Sequence, residues 1–167
     1  MTGKTMPTRR RTTARAMLMS VSLIGALGIA NPASAATPQP FTLTDHVNNA
    51  TGVYTFTTTG PLCRSGTFLD DVKLGLFPVS DHANPTAGGI ILIRTTLTCD
   101  DGSGSFFMLK HLTLTFNETG FTDAGPEEIL GGTGAYAGIT GHGFTNGATD
   151  LETGIGAGTT TGIVQLP

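Results

Sequence analysis

Two charged side chains stand where the pattern of the chain calls for apolar ones. In the run Phe68, Asp70, Val72, Leu74, Leu76, every second residue is apolar except Asp70; in Phe106, Met108, Lys110, Leu112, Leu114, Phe116 the exception is Lys110. Alternate residues of a β-strand share a face, so each charge is expected among apolar neighbours. A carboxylate there has its pKa raised by desolvation, as a general acid or base requires. Asp70 and Lys110 are therefore the candidate catalytic couple, or else a buried ion pair. The plainer alternative is a bulge, or an outer face covered by another subunit, so that neither charge meets an interior. Asp70 and Asp71 are adjacent, as are Glu127 and Glu128, so one of each pair faces in and one out of a regular strand.

Other residues offer weaker chemistry. Ile91, Ile93, Thr95, Leu97 and Cys99 make a third apolar face, with Arg94 on the opposite one. Arg94 is a candidate for binding an acidic group of a ligand, a surface charge being the simpler reading. His46, His82, His111 and His142 show no metal-ligand spacing, so no metal site is expected. His142, between two glycines, is a candidate for lining the mouth of a ligand site. Asp100-Asp101-Gly102 lacks the later acidic ligands of a calcium loop and reads as a hairpin turn. There is no Gly-x-Ser-x-Gly and no serine set with a histidine and an acid. The absence of tryptophan weighs against a carbohydrate-stacking surface. No cofactor is expected.

The elements that must position these groups are strands. Candidates are Phe41–Val47, Gly52–Thr59, Gly66–Val79, Gly89–Cys99, Ser105–Asn117, Glu127–Leu130, Ile139–Thr145 and Gly154–Leu166, divided by Gly, Asn, Asp and Pro. Threonine and the β-branched residues that fill them suit a pleated, half-buried surface. No segment sustains a helical repeat, and 24 glycines argue against long helices. Asp100 to Gly104 joins the fourth and fifth candidates as the clearest hairpin. Short strands at regular spacing predict an all-β sandwich or barrel.

Residues 1–35 are expected to lie outside that fold. Lys4, Arg9, Arg10, Arg11 and Arg15 precede an uncharged apolar run of 14 residues, Met17–Ala30, and Ala33-Ser34-Ala35 follows as a cleavage site. This is the build of a secretory signal peptide; the run is short of the roughly 20 residues of a membrane span. Cleavage after Ala35 leaves 132 residues, enough for one domain, 36–167. Five of the nine basic side chains go with the signal and all twelve acids remain, giving a net charge of −8. Such a domain is expected in the extracellular space, and partnership with nucleic acid or, after processing, with an anionic membrane is not expected. In an oxidising compartment Cys63 and Cys99 are expected to pair, a bond that stabilises by roughly 3–4 kcal/mol; a catalytic thiol is the alternative.

Residues 131–143 read Gly-Gly-Thr-Gly-Ala-Tyr-Ala-Gly-Ile-Thr-Gly-His-Gly. Gly132-x-Gly134-x-x-Ala137 fits the glycine spacing of a dinucleotide fingerprint, but no βαβ unit surrounds it. The segment instead resembles one in the allene oxide cyclase and dirigent-protein barrels, where a strand enters Gly-Gly-Thr-Gly-x-Tyr-x-Gly and a glycine-spaced strand leaves it. Glu128-Ile129-Leu130 stands at the incoming strand, Gly131 to Gly138 at the turn and Ile139 to Phe144 at the outgoing strand. The resemblance is specific over about 20 residues. It implies an antiparallel eight-stranded barrel, often oligomeric, with an apolar cavity that works without metal or cofactor. It would make Tyr136 a plug at the barrel end and a candidate ligand contact. Three functions are then expected to compete: a secreted binder of a small apolar molecule, a cofactor-free cyclase or isomerase of the allene oxide cyclase type, and an exported structural or interaction protein with a filled barrel. A homo-oligomer is compatible with each.

Overall fold

Alternation carries the chain through eight strands: β1 (Gln39–Asn48), β2 (Val53–Thr59), β3 (Ser65–Leu76), β4 (Gly88–Cys99), β5 (Gly104–Phe116), β6 (Gly120–Gly134), β7 (Thr140–Asp150) and β8 (Ile155–Gln165). In the computed structural model each strand pairs antiparallel with its sequence neighbour, and β8 closes onto β1 to complete an up-and-down barrel. The fold class expected from the sequence is the one found. The structure describes residues 36–76 and 88–167. The export signal expected at 1–35, His82 and the last three residues of the third candidate strand lie outside the described residues.

Closure removes the exposed edges that an open sheet must protect and divides every strand into inward and outward residues. One end of the barrel is packed solid. Phe41, Leu43, Phe56, Leu62, Phe68, Leu97, Phe106, Met108, Ile129, Tyr136, Ile139 and Val164 form one buried cluster. Phe106 sits at its centre, edge-on to Phe56 at 5.9 Å and tilted against Tyr136 at 5.4 Å between ring centroids. The disulfide Cys63–Cys99 ties the β2–β3 connection to the end of β4 within this cluster.

Three local features depart from the sequence reading. The apolar alternation of β3 does not run unbroken to Leu76: a bulge at Lys73 follows the Val72–Ile93 pair, so Leu74 pairs with Leu92 and points outward, half exposed. One inserted residue reverses the facing of all that follows it. The incoming strand β6 is 15 residues long, far beyond Glu127–Leu130, and it runs through Gly125 and Pro126. Proline has no N–H to give the ladder, and pairing with β5 is interrupted between Lys110–Glu127 and Thr113–Ala124. Finally, Gly131 to Gly134 still belong to β6, leaving Ala135–Ile139 as the turn, where Gly138 takes φ +92°. That left-handed conformation is open to glycine and strained for other residues.

Candidate functional site

Above the apolar plug the barrel interior turns polar. Lys110 of β5 is buried, with Nζ 3.4 Å from Asp45 Oδ2 on β1 and 3.5 Å from Glu127 Oε1 on β6. Glu127 stands directly opposite Lys110 in the β5–β6 ladder. Its other oxygen, Oε2, accepts a hydrogen bond from Thr160 Oγ1 at 3.0 Å. Oε1 receives no hydrogen bond: the contact with Lys110 is an ion pair without hydrogen-bond geometry. Thr95 Oγ1 donates to Asp70 Oδ1 at 2.5 Å. Thr95, Thr145 and Thr160 are themselves buried in this layer. Lys110 also lies 5.9 Å from the centroid of the Phe68 ring, a favourable position for a cation.

Beyond the polar layer is a cavity of about 210 Å³. Val47, Ile91, Ile93, Leu112, Leu114 and Phe121 supply its apolar wall, and Asp45, Asp70, Lys110 and Asp123 its charges. Glycines make this room. Gly158 lies opposite Asp45 and Gly147 opposite Asp123 in the strand ladders. A methyl group on Gly158 would come within 2.8 Å of Asp45 Oδ1, and one on Gly147 within 2.7 Å of Asp123 Oδ2. The two glycines also face each other across β7 and β8. Gly158→Ala must shift the Asp45 carboxylate that pairs with Lys110 and is expected to destabilise by about 1–3 kcal/mol, the range for overpacking. Gly147→Ala displaces a carboxylate with no ion pair and should cost less. Urea midpoints of the two variants check the order; equal midpoints would mean that the Asp45–Lys110 contact is not what resists the methyl group.

Burial and charge act in opposite directions in this cluster. Burial disfavours the Lys110 ammonium, but the carboxylates of Glu127, Asp45 and Asp70 outweigh it and hold the amine above the ordinary lysine range. Burial pushes the Glu127 carboxyl up, with Lys110 and the Thr160 hydroxyl offsetting only part of the rise. Asp123 is raised as well, chiefly by burial, with Lys110 opposing and Asp45 and Asp70 reinforcing.

Of the residues singled out in the sequence, Asp70 and Lys110 line the same cavity, but only Lys110 is buried: Asp70 is exposed, not the desolvated carboxylate that alternation led one to expect. The ion pairs of Lys110 nevertheless go to Asp45 and Glu127, and Asp70 reaches it only through its field. The other three lie away from the cavity. Arg94 is on the outer face of β4, its guanidinium 5.1 Å from the centroid of the Phe107 ring. Because Ile93 and Thr95 point inward, Arg94 between them points out. His142 is exposed on β7 for the same reason, its neighbours Gly141 and Gly143 occupying the less exposed positions. Tyr136 fills the plugged end, buried against Phe106, with its hydroxyl 3.5 Å from Ser103 Oγ. Asp45, Asp123 and Glu127 were not singled out as a site, yet the period-two rule reaches them. Phe41, Leu43, Asp45, Val47 and Phe121, Asp123, Gly125, Glu127, Ile129 are both inward sets interrupted by acids.

Among the described residues no group of three or more His, Cys, Asp and Glu side chains is arranged to hold a metal ion. The geometry defines an antiparallel eight-stranded barrel, plugged at one end by aromatic side chains, with a charged layer across its middle and an apolar-walled cavity beyond. Comparison with known proteins found no family model, no curated protein and no solved structure that matches this chain.

Proposed function

We propose that the chain is an exported protein, related to the allene oxide cyclase and dirigent barrels, that binds a small and largely apolar molecule in its cavity. The observation that carries this reading is the unequal filling of the barrel: apolar side chains pack one end, while mostly apolar side chains and a few charged ones at the other line about 210 Å³ of space. Small barrels hold ligands in this way, and concave, mostly apolar pockets with a few polar groups are the usual form of a ligand site. The volume is below the roughly 300–1,000 Å³ of drug-sized pockets, so the ligand has the bulk of a single ring or a short chain. A protein whose barrel is filled by its own side chains describes the plugged end alone.

The test uses cyclohexylmethanol, a neutral probe of that size, titrated into the purified protein and followed by calorimetry. Binding is expected in the native protein, and a loss of at least tenfold in affinity in Ile93→Phe, which fills the cavity from β4. Absence of binding by this probe and by smaller and larger neutral alcohols would reject the reading.

A second reading, a cofactor-free cyclase or isomerase, draws support from one feature. Asp123 combines a place on the cavity wall with a carboxyl pKa raised chiefly by burial, the direction of shift that suits a general acid or base. Asp123→Asn and Asp70→Asn should then each abolish turnover of any cyclisable substrate while leaving the fold intact. Full activity in both would remove Asp123 and Asp70 from the mechanism.

A further inference from the structure

We infer that the ligand carries a cationic nitrogen at one end, and that the cavity is built for a small hydrophobic amine. This rests on the ligand-binding reading above and names the substrate class for that site. The charges of the interior do not balance. Among the described residues Asp45 and Asp123 on the lining, Glu127 buried beneath it and Asp70 on its exposed side stand against one cation, Lys110. Lys110 is already engaged by Asp45 and Glu127. Asp123 is half-buried on the cavity wall, and among the described residues none donates a hydrogen bond to it. Among the described residues Asp70 has the Thr95 hydroxyl and no ion-pair partner.

The buried hydrogen-bond inventory leans the same way. Glu127 has a fully buried side chain, and its Oε1 is directed at Lys110 on the cavity lining without receiving a hydrogen bond. Native structures leave few such atoms unsatisfied. Glu127 itself lies beneath the lining, out of a ligand's reach; Asp123 on the cavity wall is the acceptor an ammonium group, with its three N–H bonds and no acceptor, could satisfy. The carboxylates do not gather into a group that could hold a metal ion. They are spread around an apolar chamber, a shape that suits an organic cation with its hydrocarbon part against Ile93, Leu112 and Leu114. A lumen in which carboxylates outnumber the one described cation, with low-dielectric walls, also concentrates its field on whatever enters.

Three ligands of nearly equal shape separate the possibilities: cyclohexylmethylamine, cyclohexylmethanol and cyclohexanecarboxylate, titrated calorimetrically into the purified protein at pH 7. The amine is expected to bind at least tenfold more tightly than the alcohol, and the carboxylate more weakly than either. In Asp123→Asn the ratio of amine to alcohol affinity should fall several-fold. Asp70→Asn, checked like the first variant for an unchanged thermal transition, serves as a second probe of the same ratio. If the alcohol binds as well as the amine, the inference is overturned and the binding reading stands. Tightest binding by the carboxylate would overturn it too, making Lys110 the ligand partner. If none of the three binds, both ideas fall.

Discussion

Lys110→Met is expected to remove about 3–5 kcal/mol of folding stability at pH 7.5, the cost of leaving buried charge without its partner, and to regain much of that loss at pH 5. The substitution keeps the bulk of the side chain and deletes the cation that Asp45 and Glu127 share. Glu127 is the residue that suffers most, because its side chain is fully buried and already lacks one hydrogen bond. Its carboxyl is raised by burial even with Lys110 present; without Lys110 it rises further. A carboxyl group with a higher pKa in the folded state binds its proton more tightly there than in the unfolded chain. Its contribution is therefore fully present below the ordinary glutamate value of 4.5 and is lost as pH climbs through the raised one. Stability of the variant should increase as pH falls from 7.5 to 5. Lys110 in the native protein behaves otherwise: its amine is raised above 10.5, so its contribution is intact below that value and lost only in stronger alkali. Urea unfolding from pH 5 to 8 measures both curves. The double variant Lys110→Met/Glu127→Gln should be more stable than the single one at pH 7.5 and less dependent on pH. A single variant as stable as the native protein at pH 7.5 would mean that Glu127 is already neutral and that the ion pair contributes nothing net.

How much of this site was legible depended on parity. Period-two alternation identified strands and put Asp70 and Lys110 among apolar residues, because a side chain on one face of a strand shares it with every second neighbour. The same rule contained the rest of the cluster, since Asp45 follows Phe41 and Leu43, and Glu127 precedes Ile129. What alternation lacks is a way to say which of two faces is the interior. Leu69, Ile90, Phe144 and Ile163 are apolar and outward, so hydrophobicity alone does not mark the lumen. It lacks partners as well: Asp45 and Lys110 are 65 residues apart and meet across a barrel whose register no local pattern states. Glycine and proline misled in β6. Gly125 reads as a turn signal, yet a Cβ there would lie 1.9 Å from the His111 carbonyl oxygen, so the glycine permits close approach of two strands instead of ending one. The Lys73 bulge has no signature at all; it inserts an ordinary residue into an ordinary strand.

The plugged end yields the second large effect. Cys63→Ala/Cys99→Ala is expected to destabilise the protein by about 4 kcal/mol on the chain-entropy estimate for a bridge of this span. The bridge spans 36 residues, a segment that contains the whole of β3 and nearly all of β4 and carries Asp70, Ile91 and Ile93 of the cavity wall. Small domains are stable by only about 5–15 kcal/mol, so the loss is a large fraction of the whole. The bridge also holds the β2–β3 connection against the end of β4, where the ladder is least extensive: β2 and β3 share three register pairs, Thr55–Thr67, Phe56–Gly66 and Thr57–Ser65. With so little pairing at that seam, the bond and the packing of Leu62 and Phe56 around it carry the closure of the barrel there. Guanidinium unfolding of the double variant, beside the native protein with and without reductant, measures the effect, and mass spectrometry after alkylation should find no free thiol in the native protein. Because the bond lies at the far end from the cavity, the folded variant at low temperature should still bind cyclohexylmethanol. A stability loss under 1 kcal/mol would show that β-sheet closure at the β2–β3 seam stands without the bond. Lost binding in a variant still folded would show instead that the plug at one end holds the shape of the cavity at the other.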